Sequence, residues 1–265
     1  RIDDAGEVID EWSVLDPDGN PTSNLTGLEF VGSQLYVADA ANGKVYKGLV
    51  PLPTIAISNN PRALTTDGTN LWVAVDAEPV DKIIKMTAST SSASVITTFD
   101  SPGTETDGLA IHNGELWVLT NDTHNIEVPG PSGPQVMQMT VPTLIQVDPT
   151  TGEELFFSPL VIDTYGGQDI LKDLVSGLAS DGERLYTGSN GQAAGGSLGA
   201  FYTIDPDNYR SLCMFGKCFA APLAEIANQF AGALGQVNSF QSFAVATTTS
   251  FADDRRLIAA GAPNS

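Results

Sequence analysis

"GLAIHNGELWVLTN", residues 108–121, opens with a small residue and Leu, runs through a short apolar strand, turns at a Gly-bearing stretch, and starts a second strand with Leu and an aromatic. That order predicts a β-hairpin, since two apolar runs flank a turn able to take positive φ. The plan recurs in "GLEFVGSQLYVADA" (27–40), "ALTTDGTNLWVAVD" (63–76), "GLASDGERLYTGSN" (177–190) and, more loosely, "FAVATTTSFADDRRLIAAG" (243–261). The anchoring leucines are Leu35, Leu71, Leu116, Leu185 and Leu257, so the steps are 36, 45, 69 and 72 residues, and the longer steps carry insertions.

A third and a fourth strand follow each of the first four hairpins: "KVYKGL" and "TIAIS", "KIIKM" and "SVITTF", "TLIQVDP" and "EELFFS", "AFYTIDP" and "RSLCMF". Four strands per repeat, with an apolar and aromatic second strand, is the pattern of a β-propeller blade. The expectation is a single all-β domain, a β-propeller of five four-stranded blades. Blade 1 is placed at about 27–60, blade 2 at 62–100, blade 3 at 107–160, blade 4 at 176–215, and blade 5 at 241–265 plus 1–15.

The opening "RIDDAGEVIDEW" (1–12) carries the feature order of "LIQVDPTTGEELFF" (144–157), so it reads as the outer half of the fifth blade. Sharing one blade between the two ends of the chain closes the ring and leaves no unpaired strand edge. The chain lacks an initiating Met, which fits a processed protein or a segment of a longer one; in the second case a sixth blade stays open. Helical periodicity is nearly absent. The exception is "PLAEIANQFAGALGQ" (222–236), where Leu223, Ile226, Ala227, Phe230 and Leu234 share a helical stripe behind Pro222; a helical insertion is expected at about 219–236.

"LYVADAANGKVYKG" (35–48) is similar to an NHL-type repeat. "GLAIHNGELWVL" (108–119) and "LIQVDPTTGEEL" (144–155) resemble the broad superfamily of secreted propellers that includes YVTN-type surface proteins, streptogramin lyase-like proteins and regucalcin-like lactonases. The resemblance covers nearly the whole chain, but its motifs specify a blade and no chemistry.

Twelve Lys and Arg against thirty-two Asp and Glu give a net charge of −20, which repels a phosphate backbone or an anionic membrane over most of the surface. Nucleic acid is therefore excluded as an expected partner. No apolar run approaches the ~20 residues of a membrane-spanning helix, so no membrane insertion is expected. The acidity suits secretion into salty or calcium-bearing surroundings, and equally a plain solubility surface. The two cysteines lie in "CMFGKC" (213–218), where four intervening residues permit a disulfide between Cys213 and Cys218, with two thiols as the alternative. The sequons at Asn24 and Asn121 fit the same extracellular or cell-surface setting.

His112 and His124 are the only imidazoles, one in a turn and one in a polar insertion, so no Ser-His-Asp or two-His metal arrangement is visible. Trp72 and Trp117 hold matching places in their second strands and are expected to pack blade on blade. The glycine-rich "SNGQAAGGSLGAF" (189–201) lacks the ending of a phosphate loop.

Polar residues gather before the first strands, whose entrances converge on the propeller axis. They are Asn24, Asn60 with Arg62, Glu105 with Asp107, Asp173, and Asn238 with Gln241. The regucalcin-like resemblance implies an axial divalent cation, and oxygen ligands suit calcium or magnesium; a hydrated polar tunnel is the alternative. Long connections at about 119–143, 161–176, 188–199 and 213–240 are expected to share one face and to mark where binding occurs. The expected function is a secreted or surface-displayed module that binds a protein or glycan partner, or self-assembles, through that face. The rival is a metal-assisted lactonase, lyase or hydrolase.

Overall fold

The computed structural model describes residues 13–16, 18–22, 24–31, 34–47, 55–56, 60–87, 94–130, 133–164, 167–170, 174–189, 199–214, 217–230, 237–246 and 256–263. Every regular element among them is a strand. β1 (Leu25–Val31), β2 (Gln34–Asp39), β3 (Lys44–Lys47) and β4 (Ile55–Ala56) form the first antiparallel blade, in that order. β5 (Pro61–Thr66), β6 (Asn70–Val75), β7 (Lys82–Thr87) and β8 (Val95–Asp100) form the second. β9 (Gly108–His112), β10 (Glu115–Gly130), β11 (Gly133–Val147) and β12 (Glu154–Pro159) form the third.

After the short pair β13 (Val161–Thr164) and β14 (Gly167–Ile170) comes the fourth blade. It contains β15 (Val175–Ser180), β16 (Leu185–Ser189), β17 (Gly199–Met214) and β18 (Lys217–Phe230). β13 joins the outer edge of β18 in parallel, making a six-stranded sheet. β19 (Val237–Ala246) and β20 (Arg256–Pro263) pair as a two-stranded sheet. The four blades make the chain a β-propeller. The first strands of these blades lie side by side, β5 against β1 and β9, and β9 against β15; β19 of the two-stranded sheet contacts both β15 and β1.

The core lies between blades. Tyr36, Ala38 and Val45 of the first blade meet Leu64, Leu71, Val73 and Met86 of the second. Trp72, Ala74 and Ile83 then meet Leu109, Leu116 and Val118, and Trp117, Leu119 and Leu144 meet Leu178, Leu185 and Tyr202. The two tryptophans pack as expected: Trp72 is 1% exposed and donates its Nε1–H to the carbonyl of Pro149 in the next blade. Each buried leucine contributes roughly 1.5–3 kcal/mol by leaving water. Gly108 shows how close the first strands come, because a Cβ there would stand 2.7 Å from both the backbone nitrogen and Cβ of Leu178.

The hairpin turns explain themselves chemically. Asp67 Oδ1 accepts the N–H groups of Thr69 and Asn70, and Asp181 Oδ1 accepts those of Glu183 and Arg184. Asn113 and Gly114 take positive φ, 52° and 84°, where the tight turn between β9 and β10 needs it.

Two expectations change. The helix at 219–236 is strand over Lys217–Phe230, and 231–236 lie outside the described residues. Its apolar residues serve a segment enclosed on both sides: β17 pairs along one edge, β13 along the other, and Ala221, Pro222, Leu223 and Ala224 are all buried. A strand covered on both faces has no polar side, so its consecutive apolar residues also satisfy helical spacing.

The stretch 213–240, expected as one blade-to-blade connection, is likewise divided. After Ile204 pairs with Ala224, the β17–β18 ladder resumes at Tyr209 with Pro222 and runs to Met214 with Lys217. That excursion joins a third strand to a fourth, at the opposite end of the blade from a connection between second and third strands, so the long excursions do not all share one face. The β10–β11 ladder, extended from Asn121 with Pro142 to Gly130 with Gly133, joins a second strand to a third across the long connection expected at about 119–143.

Candidate axial site

The first strands begin, and the second strands end, around one cavity of about 360 Å³. Backbone bonds bring the two sets of ends together: Ala40 N–H donates to Asn24 O, Asp76 N–H to Asn60 O, and Asp107 N–H to Leu119 O. Strand entrances supply Asn24, Thr26, Asn60, Arg62, Thr106, Asp107 and Ser176 to the lining, and strand exits supply Ala40 and Asp76. A second cavity of about 240 Å³ adjoins it, sharing Arg62 and Asp76 and adding Glu78, Asp81, Thr104, Glu105 and Asn121.

Arg62 stands between the two cavities. Its Nη2 donates to Glu105 Oε2 at 3.0 Å, and its Nε lies 3.5 Å from Asp81 Oδ2. Asp81 is 2% exposed and also accepts the Thr106 N–H at 2.8 Å, while Thr106 and Ser101 share a buried hydroxyl bond. Burial pushes the Asp81 carboxyl upward, opposed by the Thr106 N–H and by Arg62. The guanidinium of the second blade is thus tied to the segment leading into the third.

Asp107 is held differently. Its Oδ2 accepts the Asn121 backbone N–H at 3.0 Å and the Asn121 Nδ2–H at 2.9 Å. Asn121 also bridges to the next blade, donating Nδ2–H to Val175 O at 2.7 Å and accepting the Val175 N–H on Oδ1 at 3.2 Å. The sequon at Asn121 therefore has its amide engaged in the fold. Burial pushes the Asp107 carboxyl up to about 6, with Asn121 and Arg62 opposing and Glu105 reinforcing.

Four of the expected residues, Asn24, Asn60, Arg62 and Asp107, line the axial cavity together, and Glu105 lines its neighbour. Asp173 lies outside the described residues. Asn238 and Gln241 lie in β19, with side chains outside the description. Among the described residues no group of three or more His, Cys, Asp or Glu is arranged to hold a metal ion, and Glu105 is engaged with Arg62. A calcium or magnesium ion would thus find at most carboxylates of separate pairings with neutral oxygens of Asn24, Asn60 and Thr106 beside them.

Sequence reading missed Asp76, Asp81, Thr106 and Asn121. Asp76 and Asn121 each lie five residues beyond their anchoring leucine, Leu71 or Leu116, so a signal existed at the strand exits. The histidines sit apart from this cavity's lining. His112 is buried with Nδ1 2.9 Å from Ser180 Oγ, and burial lowers its proton affinity. His124 meets Thr143 Oγ1 at 3.2 Å and stacks edge-on against Phe157.

No protein-family model matches this chain, and no curated protein does. Solved structures do match. Glutaminyl cyclase from Myxococcus xanthus is 15% identical with a TM-score of 0.60, over 97% of this chain and 91% of that one. Hydrazine synthase from Kuenenia stuttgartiensis is 13% identical with a TM-score of 0.46, over 89% and 83%. The PQQ-bound aldose sugar dehydrogenase from Streptomyces coelicolor is 15% identical with a TM-score of 0.42, over 95% and 96%. The chain is a β-propeller protein built from repeated four-stranded blades. At these identities the first likeness establishes that fold and nothing of the chemistry.

Proposed function

We propose that this propeller is a binding module whose ligand places a protonated amine, such as the amino end of a partner peptide, in the axial cavity between Asp76 and Asp107. One observation carries the reading. Arg62 is the sole cationic side chain lining either cavity among the described residues, and Asp81 and Glu105 already engage it. Asp76 and Asp107 have no ion-pair partner there, and Asp107 Oδ1 takes no hydrogen bond among the described residues. Neighbouring Asn24 and Asn60 offer amide groups for the ligand's carbonyl. A secreted or cell-surface setting with a protein partner, and five blades with residues 1–15 completing β19 and β20, belong to the same reading.

The test is calorimetric titration with a short neutral peptide bearing a free amino end, beside its N-acetylated form. Binding of the free amine alone is expected, weakened at least tenfold in Asp107→Asn and falling as pH drops through about 6, where Asp107 takes up its proton. Equal binding of both peptides, or an unaffected Asp107→Asn, overturns the reading. Calcium added at millimolar level serves as a competitor and tests the axial cation and the metal-assisted reading at once.

A second reading is cyclisation of an amino-terminal glutamine, favoured by the half-buried Asp107, whose carboxyl, pushed up to about 6, can both take and return a proton near neutral pH, and by the fold shared with the Myxococcus xanthus enzyme. The amine nitrogen would attack the side-chain amide carbon. One C–N bond forms, the other breaks, and ammonia leaves with the proton relayed by Asp107. Ammonia release from a glutaminyl peptide, abolished in Asp107→Asn, would replace the binding reading with this one.

A further inference from the structure

We propose that Asn121 is the positioning residue of the axial site: it orients the Asp107 carboxylate, sets the pH at which the site changes charge, and ties that carboxylate to the seam between the third and fourth blades. This rests on the reading that Asp107 holds the ligand's amine, and it concerns how that carboxylate is prepared.

Three contacts define the arrangement. Both donors that Asn121 aims at Asp107, backbone N–H and Nδ2–H, converge on Oδ2, which leaves Oδ1 for the cavity. The same side-chain amide pairs with both the N–H and the C=O of Val175, as a strand residue would. Asp107 is bound to the fourth blade again through its own carbonyl, which accepts the Gly177 N–H at 2.8 Å. Asn121 therefore cannot rotate toward the ligand without releasing β15, so the direction of Oδ1 is fixed before anything binds.

A carboxylate accepting two N–H bonds is stabilised in its charged form, and losing a donor favours the proton. The other charged groups around Asp107 are few. Arg62 on β5 opposes protonation, Glu105 in the preceding segment favours it, and Asp76 lies across the cavity. Asp122 beyond Asn121 is engaged by Thr104 and Thr120, and the described start of β15, Val175 to Gly177, brings no titratable side chain. Asn121 is the one contact in this set that can be removed without changing formal charge while leaving Arg62 in place.

The test follows the Asp107 carboxyl by carbon NMR during pH titration of the whole chain, in the wild type and in Asn121→Ala and Asn121→Asp. The midpoint should move to higher pH in both variants, more in Asn121→Asp, where a second carboxylate faces the first. Amine binding should lose the lower part of its pH range correspondingly, weakening at a higher pH than in the wild type as the solution is acidified. In the wild type the Asn121 side-chain amide signals should shift with the same midpoint as Asp107, and stay constant in Asp107→Asn; this needs no Asn121 variant to fold. An unmoved Asp107 midpoint in folded Asn121→Ala, or Asn121 amide signals indifferent to it, overturns the proposal. If the midpoint moves while no amine binds in any variant, the positioning stands and the ligand reading falls.

Discussion

Glu29 is a half-buried acid whose replacement should reveal how the first three blades are joined. It lies in β1, where its Oε2 accepts the Thr65 hydroxyl at 3.0 Å, and Thr65 Oγ1 in turn accepts the Ile111 N–H at 3.0 Å, so three blades share one hydrogen-bonded line. Burial, opposed by the Phe30 N–H and by Thr65, pushes the Glu29 carboxyl up to about 7 from its ordinary 4.5. A folded state that holds the proton more tightly than the unfolded chain loses stability as pH rises. The loss begins near 4.5, where the unfolded carboxyl ionises, and is complete above about 7, where the folded one does. At about 1.36 kcal/mol per pH unit, the separation amounts to about 3 kcal/mol at pH 8 and nothing below pH 4.

Glu29→Gln keeps the shape and an acceptor for Thr65 without the charge. It should match the wild type at pH 4 and exceed it by about 3 kcal/mol at pH 8, roughly 6–12 °C in melting temperature for a chain of this size. Urea unfolding followed by tryptophan fluorescence, at both pH values, measures the difference. A gap that is the same at the two pH values, or a variant less stable at pH 8, refutes the reasoning.

The β17–β18 ladder sets Cys213 directly opposite Cys218, and such cross-strand partners lie within disulfide reach, so mass spectrometry of unreduced protein should find them joined; two free thiols count against it. Gly108→Ala should destabilise by about 1–3 kcal/mol, because the new methyl must push β15 away at Leu178; unchanged urea unfolding would mean the first strands can separate freely. Deleting residues 1–14 should expose the outer edge of the β19–β20 sheet and cause aggregation, measured by light scattering; a monomeric, equally stable deletion removes the proposed sharing of a blade between chain ends.

The blades were legible because their chemistry is local. A small residue and Leu, a turn-forming Asp or Asn-Gly, then Leu and an aromatic each act within about fourteen residues, and Leu71 and Leu116 are indeed fully buried. β18 was not legible, because what makes Ala221 to Ala224 a strand is the company of β17 and β13, and β13 arrives from sixty residues earlier. The axial site was half legible. Converging first strands pointed to Asn24, Asn60, Arg62 and Asp107, whereas Asp76 and Asn121 required seeing that second strands reach the same mouth, where β6 ends and β10 runs on. Asp81 could not be read at all, since its role depends on Arg62 reaching it from β5 of the same blade and on Thr106 reaching it across a blade boundary.

The central claim is that Asp76 and Asp107 form an amine site beside an already engaged Arg62. A crystal structure of the protein grown with the free-amine peptide tests it most directly. The account predicts the peptide's nitrogen within hydrogen-bond distance of Asp107 Oδ1, with Arg62 still on Asp81 and Glu105 and Asn121 still on Val175. A peptide bound elsewhere, or Arg62 swung away to meet a ligand carboxylate in that cavity, would contradict it.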